Sequence, residues 1–308
     1  MRDLDLRRLR MFMAVVDAPS LRVAAERLYI SQQALSVAIR ELERQLDVEL
    51  FSRSRRALTP TPAGLALYEG AVPLLAGGAN LASEVQMIDA NKPTPFSIGH
   101  TPGLAPSEVF QVIEGAVLAD PSVSITVKPI WPGDIHDAIT AGDIDLALAR
   151  SHTAVPNLAG AIATRHELRL AVNAANPLAE HATCAMKDLA NHPIVVSELE
   201  DDYKNMIVSY CRRVGFEPEI IVSNLRGTPP HMSVITHPDG CAFVTNQPGW
   251  LYQDQIRIIS FDDPPMTPVM AMWLPNTASR TRNAILDAVG ASAVPGGSVD
   301  PGVSADPG

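Results

Sequence analysis

The sequence predicts an α/β protein in three parts: an N-terminal winged helix-turn-helix, a linker helix, and a C-terminal domain of two α/β lobes. Three observations predict it. Between Ser20 and Leu46 two helical patterns are separated by so few residues that only a tight turn fits, and the second has one apolar and one polar face. A strongly apolar helical stretch follows from about Ala63 to Ala90. From Phe96 onward, short strand patterns alternate with helical ones in two successive sets.

The first helix is expected from about Leu6 to Val16, with Leu9, Phe12, Met13 and Val16 facing inward. Pro19 cannot continue it, and Ser20 is a good N-cap for the next helix. Ala24 and Ala25 let that helix cross closely over its neighbour. Tyr29 and Ile30 make the turn, and the Ser31 hydroxyl caps the third helix. In the third helix Leu35, Ile39, Leu42 and Leu46 fall at i, i+4, i+7 and i+11 and share one side. Gln33, Ser36, Val37, Arg40 and Arg44 occupy the opposite side. The segment from Val48 to Thr59 reads as a short β-hairpin with a basic tip at Arg53, Arg55 and Arg56.

Pro60 and Pro62 lead into the linker helix. A helix this apolar beside a small domain packs on a partner, and a second copy of itself is the simplest one. Pro73 and the Gly77-Gly78 pair are expected to kink or interrupt it. Asn91 to Pro95 reads as a hinge. Beyond it FSIGH, SVSITVKPI and IDLALA read as strands, with a helix through SEVFQVIEGAVLA. A second set follows: LRLAVNA, PIVVS, the helix DDYKNMIVSYCRRVG, then EIIVSN and CAFVTN. This alternation predicts a mainly parallel α/β fold. PVMAMWL is expected to return to the first lobe, with a closing helix near Ser279 to Val289. The divisions are 1–60 for the helix-turn-helix, 61–90 for the linker and 91–292 for the lobes (91–162 with 268–292, and 163–267). Residues 293–308 read as a disordered tail, because PGGSVDPGVSADPG has nothing to bury.

Composition narrows the function classes. With 308 residues and 46% hydrophobic residues, about two domains with sizeable cores are expected. The 3 cysteines, Cys184, Cys211 and Cys241, are widely spaced and form no CxxC pair, which suits a reducing cytoplasm. The charged N-terminus lacks a signal core, and no run of about 18 apolar residues would span a membrane. The net charge of −10 argues against nucleic acid until its distribution is read. Residues 1–60 hold 11 Arg and no Lys against 8 acidic residues, a net of +3, which leaves −13 on the rest. A modestly basic module on an acidic body fits local phosphate contact.

The polar face of the third helix has the width and side-chain types that read a DNA major groove. Gln33 and Arg40 are the leading base-edge candidates, since Gln pairs with adenine and Arg with guanine at two atoms each. Ser36 and Val37 would add a hydroxyl and a thymine-methyl contact, and Gln32 a phosphate contact. Arg53, Arg55 and Arg56 would reach phosphates or the minor groove. The bland alternative is a solvated helix face beside an ordinary basic turn.

At this level of detail the chain resembles the LysR-type transcriptional regulators, from Leu4 to about Val289. The match is strongest in LRRLRMFMAVVDAPSLRVAAERLYISQQALSVAIRELERQLDVELFSRSRRALTPTPAG. That block carries Ser20, Ala24-Ala25, Ser31-Gln32, Ala34-Leu35-Ser36, Ile39, Leu42-Glu43, Leu50-Phe51, Arg53, Leu58-Thr59 and Ala63-Gly64. A weaker match rests on Ile98-Gly99, the run from Ala141 to Ala147, Asn176-Pro-Leu-Ala179 and Gly215-Phe-Glu-Pro218. The chain departs from the family pattern at Gln33, at Asp47 (usually Gly) and at Asn176 (often His). The resemblance implies a periplasmic-binding-protein-like effector domain, homodimers assembled into homotetramers, and DNA bending altered by an effector. A dimer would place two recognition helices on a dyad-symmetric promoter site in double-stranded DNA.

Effector contacts are expected where strand ends open into the cleft, at Thr101, Trp131, Ser197, Asn224 and Asn246. Helix N-termini there favour an anion, so a small organic carboxylate suits the site. No cofactor, no catalytic residue and no metal site is expected. His231, His237 and Cys241 lack a fourth ligand, and Asp143 and Asp145 are not paired for acid–base work. The rival expectation is a two-lobed solute-binding or metabolic enzyme domain with an accessory helical module.

Overall fold

The computed structural model describes residues 4–53, 58–89, 95–119, 123–197, 201–225 and 228–294. Contacts divide the chain into two units: Met1–Lys92 with Leu274–Ala278, and Pro93–Trp273 with Ser279–Gly308.

The first unit begins with α1 (Leu6–Val16), α2 (Leu21–Arg27) and α3 (Gln32–Leu46). Each start is capped by a side chain: Asp5 accepts from Arg7 N, Ser20 from Val23 N and Ser31 from Ala34 N. Tyr29 turns the chain between α2 and α3 at φ 55°, a conformation that is strained for an aromatic residue. Asp47 ends α3 in the left-handed region, at φ 59° and ψ 40°. Leu9, Phe12 and Val15 of α1, Ala24 and Ala25 of α2, and Leu35, Ile39 and Leu42 of α3 form the core. Met13 and Val16, expected inward, are half-buried at its margin.

β1 (Phe51–Arg53) pairs antiparallel with β2 (Leu58–Pro60), giving the expected wing. Its tip, including Arg55 and Arg56, lies outside the described residues. Then α4 runs from Pro62 to Asp89 as one α-helix. Pro73 and Gly77-Gly78, expected to kink or interrupt it, do not interrupt it. A proline removes one backbone hydrogen bond, whereas Leu67, Tyr68, Ala71 and Leu75 dock the same helix on the core.

The second unit opens with β3 (Pro95–His100), α5 (Pro106–Ala119), β4 (Ser124–Pro129), α6 (Ile135–Ala141), β5 (Leu146–Ala149) and β6 (Ala159–Glu167). The chain then enters another lobe through β7 (Arg169–Asn173), β8 (Thr183–Cys184), β9 (Ile194–Ser197), α7 (Asp201–Arg213) and β10 (Ile220–Ser223). α8 (Ser233–Thr236), β11 (Cys241–Val244), β12 (Gly249–Leu251) and β13 (Ile256–Phe261) complete that lobe. β14 (Met266–Trp273), α9 (Arg280–Ala288) and β15 (Ser292–Val294) return to the first. The first sheet has the order β15-β6-β14-β5-β3-β4 and the second β10-β9-β11-β7-β13-β12, with β8 beside β13.

The sheets are mixed rather than mainly parallel. β3 is parallel to β4 and β5, and β9 to β10 and β11, as the alternating pattern predicts. The strands that carry the chain between lobes run the other way: β14 is antiparallel to β5 and β6, and β7 to β11 and β13. β6, β8, β12, β13 and β15 have no counterpart in the sequence expectation. β6 stays in the first sheet through Glu167, beyond the expected boundary at 162. Residues 293 and 294 belong to β15 rather than to a tail, and the rest of the tail lies outside the described residues.

Each lobe has its own core. Phe96, Ile98, Leu146, Leu148 and Val269 pack under Val109 and Val112 of α5 and Ile285 of α9. In the other lobe Leu170, Val172, Ile194, Phe243 and Ile259 pack under Tyr203, Ile207 and Tyr210 of α7. Leu168 N donates to Pro265 O at 2.8 Å, which ties together the two strand crossings between lobes.

Candidate nucleic-acid interface and ligand cleft

The polar face of α3 is built from the core outward. Leu35 and Leu42 are fully buried and Ile39 nearly so, which fixes the helix's rotation and turns Gln32, Gln33, Val37, Arg40 and Arg44 outward. Ser36 is half-buried. Arg40 folds back so that its Nε donates to Ser36 O at 3.2 Å. Arg44 instead pairs with Glu41, Nε to Oε2 at 2.9 Å, and this pairing holds the Glu41 carboxyl below its usual range. Of the two arginines on this face, Arg40 therefore keeps its guanidinium clear of any carboxylate partner among the described residues. Arg53 ends β1, next to the wing tip.

Two contacts position the wing. Glu43 Oε1 accepts from Leu50 N at 2.9 Å and Phe51 N at 3.3 Å, so α3 holds the start of the first wing strand by its backbone. Thr61 Oγ1 donates to Glu49 O at 2.7 Å and accepts from Gly64 N at 3.0 Å. Glu43 appears in the sequence only as one of a family set of residues; its role depends on a strand seven residues away.

In the second unit the lobes enclose a cavity of about 80 Å³, lined by residues 102–106, 229–231 and 243–246 with Arg150 and Tyr203. Asn246 lies on this wall, as expected. Thr101 is buried next to it, its backbone N donating to Leu148 O at 3.0 Å. Trp131 and Asn224 are exposed and line no part of the cavity. Ser197 ends β9 in register with Ser223.

The sequence reading missed Arg150 and Tyr203, and weighed His231 only as a metal ligand. Arg150 directly follows the buried strand β5, and its side chain is only 3% exposed. Its Nη2 donates to Glu108 Oε2 at 2.7 Å, Gly103 O at 3.0 Å and Thr245 Oγ1 at 3.4 Å. The guanidinium also stands 5.7 Å from the centre of the Tyr203 ring. His231 Nε2 lies 3.0 Å from Tyr252 OH, and the two rings stack at 5.6 Å. Burial pushes the His231 imidazole below its ordinary pKa, with Asn246 opposing the shift.

Residues 6–65 match the bacterial regulatory helix-turn-helix protein model of the lysR family, and residues 92–293 match the LysR substrate binding domain. The chain belongs to the LysR family. Over 168 residues this LysR-family chain is 31% identical to the nitrogen assimilation regulatory protein nac of Klebsiella aerogenes, covering 54% of the chain and 55% of that relative. It is 30% identical over 189 residues to the HTH-type transcriptional regulator BenM of Acinetobacter baylyi, covering 61% and 60%. The match thus spans less than two thirds of the length of these curated relatives.

Among solved structures, full-length CbnR complexed with its target DNA superposes with a TM-score of 0.55 at 17% identity, covering 93% of this chain and 99% of that one. HinK, a LysR family regulator from Pseudomonas aeruginosa, gives 0.52 at 22% identity, covering 93% and 98%. At such identities what is shared is the fold.

The remaining residues weighed in the sequence have separate partners in this LysR-family chain. Cys241 is fully buried with its thiol 3.5 Å from Pro193 O, and burial pushes its pKa up. His237 Nδ1 lies beside Thr236 Oγ1 and Ser233 O. Among the described residues no three His, Cys, Asp or Glu side chains group around a metal position. Asp145 accepts from Ser97 N at 2.7 Å, and burial raises its pKa. Asp143 uses its carbonyl to accept from Lys128 Nζ. None of the helices described is long and apolar enough to cross a membrane.

Proposed function

We propose that this LysR-family protein is a sequence-specific transcriptional regulator rather than an enzyme. It acts in the cytoplasm on double-stranded DNA and is controlled by a small molecule held between its two lobes. The observation that carries this reading is the capped helix α3, whose apolar side is locked into the core while Gln33, Val37 and Arg40 stand clear of it. Gln33 and Arg40 read base edges; Gln32, Ser36 and Val37 support them, and Arg53, Arg55 and Arg56 contact the backbone. Residues 1–60 form the DNA-binding part, 61–90 the linker and 91–292 the sensing part. A copy of the chain is the partner of α4: Leu74, Leu81 and Val85 fall at i, i+7 and i+11, share one side of that helix and are exposed. A homodimer built on that stripe, doubled into a homotetramer, recognises a dyad-symmetric site. A ligand touching both lobes favours one lobe arrangement and thereby one DNA-bound state.

Footprinting of the full chain on the DNA upstream of its own coding sequence tests this. A dyad-symmetric protected region is expected, and Arg40→Ala should lower the preference for that site over random DNA by roughly tenfold or more. Equal affinity of the unaltered protein for both DNAs would refute the proposal.

A further inference from the structure

One polar contact in the first unit joins the helix-turn-helix to the linker helix. Asp17 closes α1, its N–H donating to Met13 O, and its Oδ1 accepts from Tyr68 OH of α4 at 2.7 Å. The carbonyl of the same residue accepts from Arg27 Nη1 of α2 at 3.3 Å. Asp17 therefore links α1, α2 and α4. Its bond to the phenol is the main reason the Tyr68 pKa is pushed up to about 12, so the donor keeps its proton at neutral pH.

The placement of this contact decides what it controls. At the other end of α1, Leu6 Cδ1 lies 3.7 Å from where a Cβ on Gly78 would stand. α1 thus runs antiparallel along α4, with Leu6 beside Gly78 and Asp17 beside Tyr68. Tyr68, Ala71, Leu75 and Gly78 fall at i, i+3, i+7 and i+10 and share one side of α4. Between the two ends the packing is apolar: Leu9, Phe12 and Val15 share one core with Leu67, Ala71 and Leu75. Apolar packing is not directional, whereas a hydrogen bond weakens steeply as its angle opens. The Asp17–Tyr68 bond lies at the solvent edge, where water competes for both groups. It adds little to stability there and mainly fixes an angle.

Building on the reading of α4 as the dimer helix, we propose that Tyr68, acting through Asp17, positions the helix-turn-helix on α4 and so fixes the half-site spacing that the dimer accepts. The spacing is sensitive to this angle. α1 has 11 residues and is roughly 16 Å long, so a swing of roughly 12° about its Leu6 end moves the other end by roughly 3.4 Å, the step between base pairs. With the bond in place one spacing is favoured; without it the neighbouring spacings come within reach.

Binding-site selection from randomised double-stranded DNA by the full chain tests this, because the recovered sequences report half-site and spacing separately. The unaltered protein is expected to recover inverted half-sites at one spacing. Tyr68→Phe keeps the ring but cannot donate, and it should recover the same half-site. Spacings one base pair longer or shorter should rise in share by roughly threefold or more, the factor that a net hydrogen bond supports. Asp17→Ala should do the same. Asp17→Asn, whose amide oxygen still accepts from the phenol, should keep the narrow distribution. A purely structural loss lowers the amount of active protein and leaves the spacing distribution as it was. An unchanged distribution in Tyr68→Phe therefore overturns the proposal, whatever the variant's melting temperature. Broadening in Asp17→Ala alone overturns it too, since the phenol would then not be the partner that matters. Half-sites at no fixed spacing from the unaltered protein overturn the dimer reading, and the proposal falls with it.

Discussion

His231 shows how one buried side chain makes stability depend on pH. It is 5% exposed, stacked on Tyr252, and burial holds its pKa below the ordinary value of 6.5. An unfolded chain restores that ordinary value, so below about pH 6.5 the unfolded state binds more protons than the folded one. Stability is therefore complete above that pH and declines as pH falls towards the folded-state value. His166, also shifted down, adds a decline of the same sign. The melting temperature should be flat from about pH 8 to 7 and drop towards pH 5, and His231→Gln should flatten the drop. Parallel curves for the two proteins would show that His231 does not contribute. Residues of this kind are poorly legible in a sequence. Arg150 is the plain case: its partners lie 42, 47 and 95 residues away, and nothing within IDLALAR announces them.

Among elements, α4 contains two glycines with opposite roles. A Cβ built on Gly64 would stand 2.2 Å from Leu50 O, a backbone atom in the first unit's core, whereas one on Gly70 would meet nothing within 4 Å. Gly64→Ala should therefore destabilise the first unit by roughly 1–3 kcal/mol or more. Gly70→Ala should stabilise it by about 0.5–1 kcal/mol, because alanine loses less entropy in a helix. Chemical denaturation of both variants checks the sign; two stabilising substitutions would contradict the close approach. Local signals made most elements readable. Ser20, Ser31 and Asp47 mark helix ends within three or four residues of the groups they satisfy. β6 was not readable, since AGAIATRHE has few strand-favouring side chains. Its extended form comes from pairing with β14 on one side and β15 on the other.

For the whole molecule, two units with separate cores predict unfolding in more than one step. The three tryptophans, Trp131, Trp250 and Trp273, all belong to the second unit, whereas helix is present in both. Tryptophan fluorescence and far-ultraviolet circular dichroism should therefore give non-coincident urea transitions, and Gly64→Ala should move only the dichroism curve. Coincident curves that shift together in this variant would show a single cooperative unit. The sequence alone determined the winged helix-turn-helix, the apolar linker and the two-lobed plan. Caps, periodicity and turn residues act over a few positions, and family motifs are written in the same short range. Tertiary structure alone decided the antiparallel crossings between the lobes and the pairing of Arg150 with Glu108 beside the cavity. Those depend on contacts between residues far apart in the chain, where burial rather than local propensity sets the energy.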